Sequence, residues 1–103
     1  MNLQQPSLAL PYLQALSERA GVTPPIEITA DFLVAERARE LMWEAHRRTD
    51  LIRFGLFHTD EYLWPYKGGD DFGGKAFPAY RCLFAIPPTE LAANPYLSQN
   101  PGY

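Results

Sequence analysis

Several groups of side chains in this sequence are of types that do chemistry. His46 and Asp50 stand four residues apart, the spacing at which two side chains on one helix face approach a common metal ion. No third ligand follows at a recognisable spacing, and Arg47, Arg48 and Arg53 crowd the pair with positive charge, which disfavours a metal. His58-Thr59-Asp60-Glu61 sets an imidazole beside two acids, a composition that also builds ordinary surface turns. Asp60, Glu61, Asp70 and Asp71 offer carboxyl groups for glycoside hydrolysis, which needs two of them about 5.5 or 6.5 to 9.5 Å apart, but nothing selects a pair. The segment Gly68-Gly69-Asp70-Asp71-Phe72-Gly73-Gly74 lacks the spacing and the strand-to-helix setting of a phosphate-binding loop. Its aspartates suit calcium less well than they suit a solvated turn. Cys82, the one cysteine, has no histidine or acid close in sequence to activate it and reads as a small buried hydrophobe.

Aromatic side chains admit a different chemistry. Trp64, Tyr66, Phe72, Phe77 and Tyr80 lie close in sequence to the glycine-rich segment and offer flat faces on which sugar rings stack. The same rings, in a stretch with little regular structure, also make a core, because each buries a large area. Trp64 and Tyr66 are the candidate ligand contacts. Pro65 stiffens the loop between them and Gly68-Gly69 lets the chain turn back, so Trp64 is expected to be mostly buried against the helix described next or against the C-terminal tail.

The elements that position these groups differ between the two halves of the chain. Leu8, Tyr12, Leu13 and Leu16 recur at helical spacing and Gly21 follows as a stop, which predicts a helix over 8–20 with Pro11 in its first turn. Val22-Thr23-Pro24-Pro25 breaks it, and Thr29 or Asp31 is placed to cap a second helix. From Ala30 to Phe54 there is neither Gly nor Pro, and Val34, Ala38, Leu41, Met42, Ala45, Thr49 and Ile52 form one apolar stripe; the spacing predicts one long helix over 30–54. Beside that stripe Arg37, Glu40, Glu44 and Arg47 line up, each acid within a turn of a base, and with Asp50 and Arg53 they are read as a partly buried ion network. From Phe54 onward come 11 of the 14 aromatic residues and most of the prolines and glycines. There periodicity fails: an irregular excursion over 55–75, an extended run at Tyr80 to Ile86, one helical turn at Pro88 to Ala93, and a tail that Tyr96, Leu97 and Tyr103 anchor to the body.

The whole chain, 103 residues with 47% hydrophobic content, is too apolar for disorder, fits one modest domain and has no apolar run near the ~18 residues that span a bilayer. Nine basic against twelve acidic residues give a net charge of −3, which leaves no positive field for a nucleic acid partner. The N-terminal stretch has no basic region and too short an apolar core for a secretory signal, so the chain is either cytoplasmic or a piece of a longer protein.

Two blocks of residues carry a resemblance. Glu36-Arg37-Ala38-Arg39-Glu40-Leu41 with Glu44-Ala45-His46-Arg47-Arg48-Thr49-Asp50-Leu51-Ile52-Arg53-Phe54-Gly55 resembles the "ER..EL..EG.RR.DL.R.G" block of the SusD/RagB family of outer-membrane nutrient-binding lipoproteins. The ending, Leu83-Phe84-Ala85-Ile86-Pro87, Glu90-Leu91 and Asn94-Pro95-Tyr96-Leu97-Ser98-Gln99-Asn100-Pro101-Gly102-Tyr103, is similar to that family's "FPIP..E...NP.L.QNPGY". Arg19-Ala20-Gly21 and Trp64-Pro65-Tyr66-Lys67-Gly68-Gly69 also sit where the family has them, and the departures are Ala85 for proline and Ala45 for glycine.

The resemblance implies an all-α fold with long irregular loops, residues 1–103 being the C-terminal portion of a larger helical protein with tetratricopeptide-like helix pairs. It implies a lipid anchor on an N-terminal cysteine that this sequence does not contain, a surface-exposed place on the outer membrane, and no other contact with the membrane. It implies non-catalytic capture of glycans or other nutrients, without cofactor or metal, and delivery to a SusC-like TonB-dependent transporter. No ligand-binding residue of the family transfers onto a numbered position here. A small carboxylate-dependent glycoside hydrolase and a stand-alone helical interaction module are the alternatives.

Overall fold

The computed structural model describes residues 6–69 and 71–103. The chain divides into two units, Met1–Phe54 and Gly55–Tyr103, at the point where its composition changes.

Helices build the first unit. After a 3-10 turn at Pro6–Leu8, α1 spans Leu10–Ala20 with Pro11 in its first turn, where a missing N–H costs no bond. Gly21 ends it in the left-handed conformation, φ 67°, with its N–H on the Glu18 carbonyl and that of Val22 on Ser17, which satisfies the last carbonyls. Thr29 caps α2, Ala30–Glu40, its hydroxyl accepting from the Phe32 N–H at 3.0 Å.

The long helix predicted over 30–54 is not continuous. Residues 41–45 form a turn, and α3, Arg47–Arg53, begins afresh. Two residues in that turn have positive φ, Trp43 at 69° and Ala45 at 60°. A left-handed residue cannot propagate a right-handed helix, and each costs about 1–2 kcal/mol in a residue with a Cβ. Ala45 is the position where the resembled pattern carries glycine, the residue that takes this conformation freely. Periodicity could not reveal the break, because the apolar spacing of α2 resumes almost in phase in α3.

Three apolar side chains are buried among the described residues, Leu13, Val34 and Leu51, one on each helix of the first unit. The second unit has no buried apolar side chain among its described residues; its one buried residue is Lys67. It carries a 3-10 turn at Ala79–Cys82 and α4, Pro88–Ala93, and is otherwise irregular. The extended run expected over 80–86 begins only at Leu83, since Tyr80 to Cys82 belong to the 3-10 turn. No strand occurs among the described residues, so the fold is all-α with long loops, as the resemblance implied.

Candidate functional site

In the first unit the break between α2 and α3 creates the ionic centre. Thirteen residues of straight helix would separate Arg37 from Asp50 by about 20 Å. The turn folds α3 back instead, so that Arg37 Nε meets Asp50 Oδ1 at 2.9 Å, with Arg53 Nη1 at 3.9 Å from the same oxygen. Asp50 is 2% exposed. The Arg37–Asp50 contact lacks the alignment of a hydrogen bond, so it holds chiefly by charge. Arg47 donates from Nη1 to the Val34 carbonyl of α2 at 2.8 Å.

This is not the arrangement the helix face suggested. Glu40 pairs with Arg19 of α1 rather than with its neighbours, and Glu44 is exposed on the turn. His46 is exposed before α3 while the Asp50 carboxylate is buried on Arg37, so the two do not share a ligand position. Glu36 accepts from Arg39 Nε at 3.0 Å. A cavity of about 490 Å³ opens beside α1 and α2, lined by Tyr12, Leu13, Leu16, Leu33, Leu41 and Phe54, with Glu36, Arg37, Glu40 and Arg53 as its charged groups. Of these, Glu36 and Glu40 are each held by an arginine, which leaves a surface suited to apolar contact rather than to acid–base work.

In the second unit the loop closes on a cation. The Lys67 ammonium is 1% exposed and donates to three backbone carbonyls, Leu56 at 3.1 Å, Thr59 and Tyr62. Three N–H donors meet three acceptors, the full capacity of an ammonium. The ring of Trp64 lies 4.6 Å from Nζ and that of Phe77 5.8 Å away, both within cation–π range. Burial pushes the Lys67 pKa below the ordinary lysine value, and the Asp60 charge opposes that shift in part.

The backbone around the cage is correspondingly tight. Lys67 N–H reaches back to the Trp64 carbonyl at 3.0 Å, closing a turn with Pro65 and Tyr66 at its centre, and the Lys67 carbonyl accepts from Lys75 at 2.8 Å. Gly74, φ 71°, passes so close that a Cβ there would stand 2.5 Å from the Trp64 carbonyl oxygen and 3.1 Å from Lys67 Cβ. Tyr66 takes φ 65° at the turn position that ordinarily calls for glycine or asparagine.

The two candidate contact residues thus part company. Trp64 is half-buried, and its partners are Phe57 at 6.1 Å, Tyr62 at 6.4 Å and the Lys67 ammonium, all within its own loop. Within the second unit its ring neighbours are thus residues of the same loop. Tyr66 is 60% exposed and meets Phe72, also exposed, edge-on at 5.7 Å.

Among the acids, Asp60 and Glu61 are exposed, and Asp71 accepts from the Gly73 N–H at 3.0 Å in a local turn; Asp70 lies outside the described residues. Cys82 is half-buried with Sγ 3.6 Å from His58 Nδ1, a weak thiol–imidazole contact hidden from sequence reasoning by a separation of 24 residues. Lys67 was missed for another reason. In a chain with two lysines, one set between aromatics and a Gly-Gly pair is a cation–π signal, but lysine is so rarely buried that composition points outward.

The tail is tied down by amides more than by apolar anchors. The Gln99 side chain accepts from Ile86 N–H at 2.8 Å and donates to the Ile86 carbonyl at 2.9 Å, imitating a paired backbone, and it also accepts from Asn100 N–H. Asn100 donates to Phe84 O and Tyr103 to Leu83 O, each at 2.8 Å, while Tyr103 packs edge-on against Tyr80 at 4.9 Å. Tyr96 is fully exposed, which corrects the anchoring role expected of it, and Leu97 is 42% exposed.

An all-α chain with an arginine-held acid at a helix break and an amide-bound Gln-Asn-Pro-Gly-Tyr ending combines the two motif blocks in one structure. The SusD family model matches residues 1–103, and the chain belongs to the SusD family. It is similar to the starch-binding protein SusD of Bacteroides thetaiotaomicron, at 39% identity over 92 residues, 88% of this chain and 16% of that protein. The chain therefore spans about one sixth of the length of the curated relative it matches.

Proposed function

We propose that these residues are the C-terminal portion of a surface-exposed outer-membrane lipoprotein that captures glycans, starch-like glucans among them, without cleaving them. The captured glycan passes to a SusC-like TonB-dependent transporter. The family match over the whole chain carries this reading, and the name of the similar relative supplies the substrate class. The chemistry of the described side chains agrees with a scaffold: Glu36, Glu40 and Asp50 face arginines, Asp71 braces a turn, and Lys67 is spent on carbonyls.

Titration calorimetry on the polypeptide that contains these residues, with a panel of polysaccharides and a parallel assay for reducing ends, tests it. Saturable binding without sugar release is expected. Release of sugar would replace the proposal with a hydrolase, and silence in both assays with an interaction module.

A further inference from the structure

The second unit is organised around a charge, and that charge has a complete set of partners. Three carbonyl oxygens from one short stretch of chain, Leu56, Thr59 and Tyr62, converge on a single point, with the Trp64 ring and the more distant Phe77 ring facing it. Convergent carbonyls and an aromatic face are what an ammonium ion requires of a host: one acceptor per N–H and a negative ring quadrupole. Without a guest, three carbonyl dipoles would converge on one point with their negative ends together and repel one another. We propose that residues 56–62 with Trp64 form an ammonium receptor whose guest is the chain's own Lys67, and that the emptied site takes a free primary alkylammonium ion.

The receptor is selective by geometry. A quaternary ammonium carries the charge but no N–H for the carbonyls, and a guanidinium presents its donors in a plane rather than at the three corners of a pyramid. The tether also accounts for the neighbouring backbone. Tyr66 is held at φ 65° and Gly74 is pressed against Trp64 and Lys67 because the chain must bring Lys67 Nζ back to carbonyls five to eleven residues upstream.

Two measurements test this. In the unaltered chain the two lysines serve as each other's control, since Lys75 is exposed. Brief acylation with an N-hydroxysuccinimide ester, read by peptide mass spectrometry, should label Lys75 at least about a hundredfold faster than Lys67, the protection set by the local opening that exposes Nζ. Comparable rates would overturn the proposal. In Lys67→Ala, n-propylammonium has the carbons and nitrogen that the truncation removes. The variant should melt at least about 10 °C lower than the parent, and propylammonium should restore half or more of that loss in a saturable way. Tetramethylammonium and sodium chloride at equal ionic strength should not. Should Lys67→Ala be unfolded outright, propylammonium should induce the parent's near-ultraviolet circular dichroism. A propylammonium effect no larger than that of tetramethylammonium would overturn the receptor, as would a Lys67→Met variant melting within about 2 °C of the parent.

Discussion

Asp50 and Lys67 are buried ions with opposite solutions. Asp50 is covered by one guanidinium in charge contact and a second farther off, so its stability depends on Arg37. Arg37→Ala leaves a buried carboxylate with Arg53 at 3.9 Å as its remaining ion pair among the described residues and should cost about 2–4 kcal/mol in chemical denaturation, near the range for breaking a buried pair. Glu44 sits exposed on the turn, and Glu44→Ala should stay within about 0.5 kcal/mol of the parent. Equal losses in the two variants would show that the ions act as one network after all. Lys67 is satisfied by carbonyls, and its pKa lies below the lysine norm because burial outweighs Asp60. Between that lowered value and the unfolded one, the unfolded chain holds more proton, so this group's contribution to stability rises with pH through the interval and is flat below it. The gap in Tm between the parent and Lys67→Met should widen as the pH is raised toward the ordinary lysine value, and a gap that does not change would mean that burial leaves the proton affinity of Lys67 as it is in the unfolded chain.

At the scale of elements, what could be read from the sequence depended on where the determining force was local. Gly21 and Thr29 set the ends of α1 and α2 by backbone geometry and a hydroxyl, and both were legible. The break at 41–45 was not, because the apolar stripe resumes beyond it and only the left-handed Trp43 and Ala45 betray the turn. Ala45→Gly should therefore raise stability by about 1 kcal/mol, seen as a higher Tm, whereas in a continuous helix the same change would lower it by a similar amount. The tail shows the same limit. Apolar Tyr96 and Leu97 looked like its anchors, but a polar side chain that imitates backbone pairing has no periodicity to read. Gln99→Glu replaces a donor with an acceptor opposite the Ile86 carbonyl and should cost about 1–3 kcal/mol; unchanged melting would return the anchoring role to Tyr103.

For the whole molecule, the chain belongs to the SusD family and is similar to a starch-binding protein. Trp64 is where that likeness bears most sharply on the described residues, since a tryptophan in a glycine-rich loop is what a sugar-binding surface would use. Its ring instead lies over the Lys67 ammonium among Phe57 and Tyr62. The decisive measurement pairs thermal melting with calorimetric glycan affinity for Trp64→Ala, made in the polypeptide that contains these residues. We expect a Tm lowered by several degrees, with a glycan Kd unchanged at temperatures where the variant is still folded. A variant that melts like the parent and has lost its glycan affinity would contradict this, and would make Trp64 a ligand contact rather than the roof of an ion cage.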